Sequence, residues 1–382
     1  MTAPAHARPT IGPERYAERL VRATAAATTA GLDALFIGVG SDLRYLTGYE
    51  AMPLERLTVL VLRPGREPVL VVPRLERGAA SAGLRTPVEI VTWDETDDPY
   101  VRAAEGVTAR RVGLSDTMPA LHVLRLQATL GADAQLSLAS EVLRGLRMIK
   151  DPEEITLLRL AAQAADRVVG QIAAGRLVGR TEADVAREVR ERLIAEGHDE
   201  AQFAIVGSGP NSASPHHEAT ERVIRSGEPI VLDIGGTLGG YGSDITRTLW
   251  VTGGDPSASP DERFRHLFAV LRGAQEAATR AVRPGVACAA VDDAARAPIE
   301  AEGYGEAFFH RTGHGIGLDG HEDPYLVAGN ELALRPGMAF SVEPGIYLPD
   351  VYGARIEDIV VCGEDGPIVL NEALRELYVV EG

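Results

Sequence analysis

Residues 231–251, VLDIGGTLGGYGSDITRTLWV, constrain the fold more than any other segment of the chain. Two apolar runs flank a glycine-rich turn, and this pattern predicts a β-hairpin. Asp233 and Asp244 fall on opposite arms of the hairpin, each beside apolar residues. A carboxylate that faces a core is costly unless it is paired or bound to a metal. The segment alone leaves open whether each aspartate caps a turn, pairs with Arg247 or binds a metal ion.

A second glycine-rich segment, HRTGHGIGLDGHEDP at residues 310–324, carries three histidines. His310 and His314 are four residues apart, which on a helix would place two zinc ligands on one face. The interleaved glycines argue against a helix and predict an extended segment whose backbone approaches a ligand closely. A lone histidine is usually structural, but three within twelve residues, spaced by glycines, favour a binding site.

Two glutamates in apolar strands extend this set. Glu343 ends MAFSVEPG immediately before a Pro-Gly turn, and Glu357 lies in ARIEDIVV with Asp358 on the opposite strand face. An interior glutamate needs a partner. Arg355 lies on the same face as Glu357, so a buried Arg–Glu pair with no further purpose remains open there. Such a pair does not explain Glu343.

Taken together, these residues form an oxygen-rich set with one imidazole. Such a set suits hard or borderline divalent ions, and in particular a pair of ions that carboxylates bridge. The five candidate ligands are Asp233, Asp244, His314, Glu343 and Glu357.

Composition narrows the classes of partner. The formal charge of −17 disfavours binding to nucleic acid or to an anionic membrane surface. Two cysteines are too few for a disulfide framework or a cysteine-based zinc site. The first twenty residues have no apolar run before their first charges, and no segment has the uninterrupted apolar length of a membrane span. We therefore expect a cytoplasmic protein.

The 382 residues suggest two domains. Helices and strands alternate in the first third, whereas Asp151-Pro152 begins a long amphipathic helix and the chain beyond Gln202 is richer in strands. We predict an α/β (α+β) fold with domains at 1–145 and 146–382. Further helices are predicted after Thr181 and near residues 260–282 and 289–302. The predicted strands include DALFIGVG, LTVLVLRPG, PVLVVPR, VEIVTW and RVGLSD, followed by FAIVGSG, PIVLDIGG, GSDITRTLWV, GMAFSVEPGIY and ARIEDIVVC.

Four motifs resemble, in order, the signature blocks of the pita-bread metallopeptidases. They are DIGGTLGGYGSDITRT, HRTGHGIGLDGHE, SVEPGIY and GARIED. The prolidase and Xaa-Pro aminopeptidase branch is the most similar, and it is also similar to creatinase. DALFIGVGSDLRYLTGYE resembles the creatinase-type N-terminal domain. The resemblance implies a creatinase-type α/β domain followed by a pita-bread catalytic domain.

The resemblance also implies a ligand assignment. Asp233 would bind the first metal, Asp244 and Glu357 would bridge both, and His314 and Glu343 would bind the second. The family implies two divalent ions, most often Mn²⁺ and sometimes Co²⁺ or Zn²⁺, together with a homodimer.

Four residues receive catalytic roles from the same resemblance. His216, in GSGPNSASPHHE, would line the substrate pocket, and His321 would contact the substrate and stabilise the transition state. Arg355 would support the bridging glutamate. Glu343, beside the attacking water, would accept its proton and pass it to the departing amine.

The implied function is metal-dependent hydrolysis of the Xaa-Pro bond in proline-containing dipeptides or oligopeptides. That bond is a tertiary amide with no N–H and with a rigid ring, so peptidases that bind an extended backbone through its N–H groups cleave it poorly. Dipeptidase and aminopeptidase are not separable from the sequence. Two alternatives stay open: a small-molecule C–N hydrolase or lyase on the same fold, and a non-catalytic binding module. The complete ligand set argues against the module and against metal-free creatinase chemistry.

Overall fold

The structure is a computed structural model that describes residues 8–108 and 110–381. The chain divides into two compact units, one formed by Thr10–Arg147 and the other mainly by Met148–Gly382. Both contain helices and strands, which confirms the predicted α/β class. Within the described residues, no helix combines the length and apolar character needed to cross a bilayer.

The first unit is built on one mixed sheet. Its strands are β1 (Ala34–Gly38), β2 (Val59–Leu62), β3 (Val69–Pro73), β4 (Glu89–Trp93), β5 (Arg111–Leu114) and β6 (Gln135–Leu138). They lie in the order β4-β3-β2-β1-β5-β6, with β1 antiparallel to β2 and parallel to β5. Every residue of β1 and β2 is buried, so both faces of the sheet centre are covered.

The helices of this unit follow the predicted alternation with the strands. They are α1 (Pro13–Thr29), α2 (Ser41–Thr47), α3 (Arg77–Gly83), α4 (Pro99–Ala103), α5 (Ala120–Leu130) and α6 (Ser140–Arg147), with a 3₁₀ turn at Arg74–Glu76. The first of them begins with a proline, which costs no hydrogen bond at a helix start. The predicted alternation and the five predicted strands of this region are therefore confirmed.

The second unit carries four helices and eleven strands among the described residues. The helices are α7 (Pro152–Ala173), α8 (Glu182–Ala195), α9 (Glu262–Ala281) and α10 (Cys288–Ala301), with 3₁₀ turns at Gly209–Ala213, Pro256–Ala258 and Gly305–Ala307. The strands are β7 (Glu200–Ser208), β8 (Glu228–Leu238), β9 (Tyr241–Val251), β10 (Gly313–Gly315), β11 (Glu322–Leu326), β12 (Ala339–Val342), β13 (Gly345–Leu348), β14 (Tyr352–Arg355), β15 (Asp358–Cys362), β16 (Pro367–Val369) and β17 (Tyr378–Val380).

These strands form three sheets. The first has the order β17-β9-β8-β7, the second has the order β11-β10-β12-β15-β16, and β13 pairs only with β14. One hydrophobic core packs α7 and α8 against β7–β9, and another packs α9 and α10 against β12–β15. The two larger sheets meet where Thr246 of β9 bridges to Glu357.

The predicted hairpin is confirmed as β8 and β9. Leu238 pairs with Tyr241 across a two-residue turn, Gly239-Gly240, whose φ angles are 61° and 88°. Positive φ at both central residues matches the right-handed twist of the strands and is accessible to glycine without strain. The turn thus fixes the register of the two aspartate-bearing arms.

Two predicted strands are each broken at a glutamate. GMAFSVEPGIY separates into β12 and β13 at Glu343, and ARIEDIVVC separates into β14 and β15 at Glu357. The reason is that β12 pairs with β15 whereas β13 pairs with β14. Both segments therefore pass from one sheet to the other, and they do so at neighbouring positions. Each glutamate therefore lies between two strands, at the point where the chain passes from one sheet to the other.

Candidate metal centre

A cavity of about 340 Å³ lies in the second unit, and all of the predicted site residues line it. The cavity is lined by residues of the β8–β9 hairpin, of the glycine-rich strand β10, and of the two strand breaks at Glu343 and Glu357. The predicted residues that it brings together are His216, Asp233, Asp244, His314, His321, Glu343, Arg355 and Glu357.

The two aspartates share one face of the hairpin. Asp244 lies opposite Gly235, which is two residues from Asp233, so the carboxylates are diagonal neighbours across the pair of strands. Neither pairs with Arg247, which instead binds Asp358 at 2.7 Å. The interpretation in which Arg247 neutralises the aspartates is therefore wrong.

Glu357 is fixed to the hairpin by Thr246. Its backbone N–H donates to the Thr246 carbonyl at 3.1 Å, and the Thr246 hydroxyl donates to Glu357 Oε2 at 2.7 Å. The same hydroxyl accepts from Arg355 Nε at 3.0 Å. Arg355 therefore reaches Glu357 through Thr246, while its Nη2 binds Asp233 Oδ2 directly at 2.5 Å. The isolated Arg355–Glu357 pair that the sequence left open is wrong, and the support of Glu357 by Arg355 is indirect.

His314 is oriented by backbone contacts on β10. Its Nδ1 lies 3.1 Å from the carbonyl of Gly315, so that nitrogen carries the proton and Nε2 keeps its lone pair. Nε2 lies 3.6 Å from Asp244 Oδ2 and 3.3 Å from Glu343 Oε1. Burial, with the nearby ring of His321, lowers the pKa of His314 to about 3. The imidazole is therefore neutral, as a metal ligand must be.

The carboxylates of the cavity lack enough positive charge to be ionised together. Burial and neighbouring carboxylates raise the pKa of Asp244 and of Glu357 well above the ordinary range. Burial raises the pKa of Glu343 to about 7 against the opposing effect of Arg355. Asp233 Oδ1 is buried and has no hydrogen-bond partner among the described residues. A divalent cation would bind such an unpaired carboxylate oxygen and would offset the repulsion between the neighbouring carboxylates.

Donor atoms in this cavity approach one another as ligands of a common ion do. Three groups each have ligand atoms within 4.8 Å of one another. Asp244, His314 and Glu357 each belong to two of the groups, so the groups overlap in one continuous donor set that could hold metal. The groups are Asp233–Asp244–Glu357, His314–Glu343–Glu357 and Asp244–His314–His321.

His321 is oriented by its contacts with His314 and Arg311. Its ring stacks on that of His314, with 3.7 Å between centroids, and Arg311 Nη2 lies 3.1 Å from its Nδ1. A guanidinium can only donate, so Nδ1 accepts and the proton of the neutral ring lies on Nε2. Burial and the charge of Arg311 lower the pKa of His321. Nε2–H is therefore available to an oxygen in the cavity.

The loop that carries His216 is anchored outside the cavity. His216 lines the cavity, whereas the adjacent His217 turns away and lies 2.8 Å from the carboxylate of Glu182. Glu182 opens α8 and is fully buried. It accepts hydrogen bonds from Ser208, at the end of β7, and from three residues that follow it, namely Asn211, His217 and Thr220. Burial opposes ionisation, but these bonds hold the pKa of Glu182 at about 2.

A second group of residues that sequence reasoning did not assign supports Arg355. Tyr347 accepts from Arg355 Nη1 at 2.7 Å, and its hydroxyl lies 3.0 Å from His310 Nε2. Burial, with Arg355 next, lowers the pKa of His310 to about 4, so its ring is neutral and accepts from the tyrosine. His310 was noticed in the sequence only as one of three histidines, and nothing there indicated Tyr347, Thr246 or Glu182 as partners.

Comparison with known proteins identifies similar sequences over nearly the whole chain. Residues 156–364 match the model of metallopeptidase family M24, and residues 19–149 match that of the creatinase/prolidase N-terminal domain. The probable dipeptidase PepE of Mycobacterium tuberculosis is 49% identical over 372 residues, which cover 96% of this chain and 97% of that protein. The Xaa-Pro dipeptidase of Pyrococcus horikoshii is 33% identical over 347 residues, covering 91% and 94%.

A solved structure is similar as well. The crystal structure of dipeptidase PepE from Mycobacterium ulcerans superposes with a TM-score of 0.91 at 46% identity, covering 97% of this chain and 100% of that one.

Proposed function

The chain belongs to metallopeptidase family M24, the pita-bread prolidase family, and on this basis we propose that it hydrolyses the Xaa-Pro bond of dipeptides or short peptides with two divalent metal ions. The observation that carries the proposal is the convergence of the five candidate ligands on one cavity, beside a neutral histidine that offers Nε2–H. The relatives named dipeptidase and Xaa-Pro dipeptidase support it.

We assign the ligands as the family resemblance implies. Asp233 would hold the first ion, His314 and Glu343 would hold the second, and Asp244 and Glu357 would be shared between them. Four carboxylates and one imidazole favour a hard or borderline ion, and we propose Mn²⁺, with Co²⁺ or Zn²⁺ as substitutes. When bound, the two ions would supply Lewis acidity that activates a water molecule and polarises the scissile carbonyl.

Side chains of the protein transfer the protons and stabilise the charge that develops on the substrate. Glu343 accepts a hydrogen bond from Ser341 at Oε1, and its second oxygen, Oε2, takes the proton of the attacking water and delivers it to the departing nitrogen. His321 Nε2–H donates to the carbonyl oxygen as negative charge develops there. Arg355 acts as a positioning residue, because its contacts are with Asp233, Thr246 and Tyr347.

Proline recognition rests on the walls of the cavity. Phe203 and Ile205 supply apolar surface beside His216. A pyrrolidine ring lacks an N–H and is rigid, so it can be recognised by shape at little cost in entropy. We propose that these three side chains form the surface that accepts the proline ring.

The remaining proposals concern the whole protein. We propose a homodimer in the cytoplasm, with domains at 1–145 and 146–382. Both cysteines are free and buried, which is compatible with a reducing compartment. Light scattering coupled to size-exclusion chromatography measures the oligomeric state directly, and a monomeric mass would contradict the dimer.

The deciding experiment is hydrolysis of a matched peptide panel by protein reconstituted with Mn²⁺, Co²⁺ or Zn²⁺, with a chelated control. The panel holds Xaa-Pro dipeptides, Xaa-Pro-Yaa tripeptides and the corresponding Xaa-Ala peptides. We expect cleavage of the proline peptides only, lost on chelation and restored by metal. Bound metal is counted in the same samples by mass spectrometry, with an expected ratio of two ions per chain.

Two results would contradict the proposal. Cleavage of Xaa-Ala peptides at the same rate would remove the proline specificity. No cleavage of any peptide by fully metal-loaded protein would favour a small-molecule C–N hydrolase or lyase on this fold.

A further inference from the structure

Asp292 is a fully buried carboxylate of α10 that the proposed chemistry does not use. It forms a two-bond ion pair with Arg296, one turn further along the helix, with Nε–Oδ2 and Nη2–Oδ1 distances of 3.0 Å. The hydroxyl of Thr312 donates to Oδ1 at 2.8 Å. The backbone N–H of Thr312 is shared between the same oxygen and the carbonyl of Leu326, both at 3.0 Å. These contacts fix Thr312 against the helix.

Arg296 holds the segment that leads to Thr312. Its Nη1 donates to the carbonyl of Phe308 at 2.8 Å, and its Nη2 donates to the carbonyl of His310 at 2.9 Å. Its guanidinium also lies over the ring of Phe308, with 4.3 Å from Cζ to the ring centroid. The pair of Asp292 and Arg296 therefore ties residues 308, 310 and 312 to one helix. The pair itself lies outside the described lining of the cavity, so it acts through the backbone of this segment.

Thr312 in turn places two of the candidate ligands. Its carbonyl accepts the backbone N–H of Glu343 at 2.8 Å, and His314 follows two residues later in the chain. Ser341 adds a second link, because its hydroxyl accepts from the backbone N–H of His314 and donates to Glu343 Oε1, both at 3.0 Å. The separation between His314 and Glu343 therefore depends on where Thr312 is held.

The ligands assigned to the first ion are held by different contacts. Arg355 binds Asp233, and Thr246 binds Glu357. Both contacts involve the β8–β9 hairpin, whereas Asp292 belongs to α10. A change at Asp292 should therefore displace the ligands of the second ion and leave those of the first in place.

We propose that Asp292 is a positioning residue for the second ion, acting through Thr312 on His314 and Glu343. This inference rests on the proposed two-ion peptidase function. A site whose ligands are already fixed loses less conformational entropy when it binds an ion. Replacement of residues that orient metal ligands from behind typically lowers metal affinity 10–100-fold.

The experiment is a Mn²⁺ titration of the full chain after removal of metal, with free Mn²⁺ measured by electron paramagnetic resonance (EPR). In Asp292→Asn, one end of the side chain becomes an N–H donor that faces the donors of Arg296 or Thr312. We expect the dissociation constant of the second ion to rise about 10–100-fold and that of the first to change by less than about twofold. Pulsed EPR at each step detects nitrogen coupling from His314 and so assigns the two constants to the two ions.

Two further variants make the comparison specific. Thr312→Val removes the hydroxyl bond and keeps the ion pair of Asp292, so it tests the same link without an unpaired buried charge; we expect about tenfold weaker binding of the second ion. Turnover lost at limiting Mn²⁺ should increase again as Mn²⁺ is raised, with no change in KM for the peptide. Asp166→Asn is the control, because Asp166 binds Asn371 and Glu372; it should lower the midpoint of urea unfolding and leave both Mn²⁺ constants unchanged.

The outcomes separate the two proposals. Equal weakening of both ions, weakening of the first ion alone, or an unchanged constant for the second ion in folded variants would mean that Asp292 only stabilises the fold. Each of these results overturns the positioning role and leaves the peptidase intact. A wild type that binds fewer than two ions per chain refutes the two-ion function, and the role of Asp292 with it.

Discussion

The carboxylate of Glu182, at the start of α8, accepts hydrogen bonds from four residues. Replacing Glu182 by glutamine tests whether this carboxylate anchors the loop that carries His216. The carboxylate accepts two bonds from Ser208, two from Thr220 and further bonds from Asn211 and His217. Glutamine has nearly the same shape, but its amide group would present N–H to a ring of donors. The change therefore removes the charge and leaves buried donors without an acceptor.

The expected loss of stability follows from the pKa. A fall from 4.5 to about 2 for the Glu182 carboxyl corresponds to about 3 kcal/mol of preferential stabilisation of the ionised form in the folded state. Because the pKa is lower in the folded protein, this contribution is complete above about pH 4.5. It is lost as the pH falls toward about 2, at about 1.4 kcal/mol per pH unit.

The assay is urea unfolding at a fixed manganese concentration. The chain has two tryptophans, so a Trp93→Phe background leaves Trp250 as the reporter of the second unit. We expect Glu182→Gln to lose about 3 kcal/mol at pH 7 and less below pH 4.5. We also expect a fall in kcat/KM of about tenfold or more, because the loop that carries His216 loosens.

Glu188→Gln is the matched control on the same helix. Glu188 is half-buried and pairs with Arg180 and Arg192, so its replacement should cost less than about 1 kcal/mol. If Glu182→Gln costs no more than this control, or if its effect is the same at pH 7 and pH 4, then the carboxylate does not anchor the loop as argued.

Three further predictions concern single residues. Asp244→Ala should abolish turnover and bring bound metal toward zero, whereas the exposed Asp365→Ala should change neither; an active variant with full metal would contradict the two-ion site. His321→Ala should keep its metal content and lose about 10²–10³ in kcat, as expected for one lost donor to a developing oxyanion, and undiminished turnover would remove His321 from the mechanism. Cys288→Ser should keep turnover near wild type, since burial raises the pKa of this thiol to about 11 and it is not a nucleophile at neutral pH; a large loss with unchanged folding would reveal a thiol role.

Local sequence was sufficient to predict the elements that present the first two ligands. Alternating apolar strands around Gly239-Gly240 fix the hairpin and its register, and so place Asp233 and Asp244 on one face. The start of α7 was equally predictable, because Pro152 follows Asp151, whose backbone N–H is capped by Glu154 at 2.8 Å. Turns, caps and strand periodicity act over a few residues, which is why they can be predicted from sequence.

Only the tertiary structure decided how those elements combine. The breaks at Glu343 and Glu357 arise because neighbouring strands change sheets together, and no local pattern marks such an exchange. His216 lines the cavity whereas His217 binds Glu182, and Glu182 lies more than thirty residues away in the sequence. Thr246 gains its role through Arg355, which lies 109 residues further along the chain. The sequence determined which side chains were available to hold metal, whereas long-range packing decided which atoms face one another, because that depends on contacts between segments that local chemistry does not link.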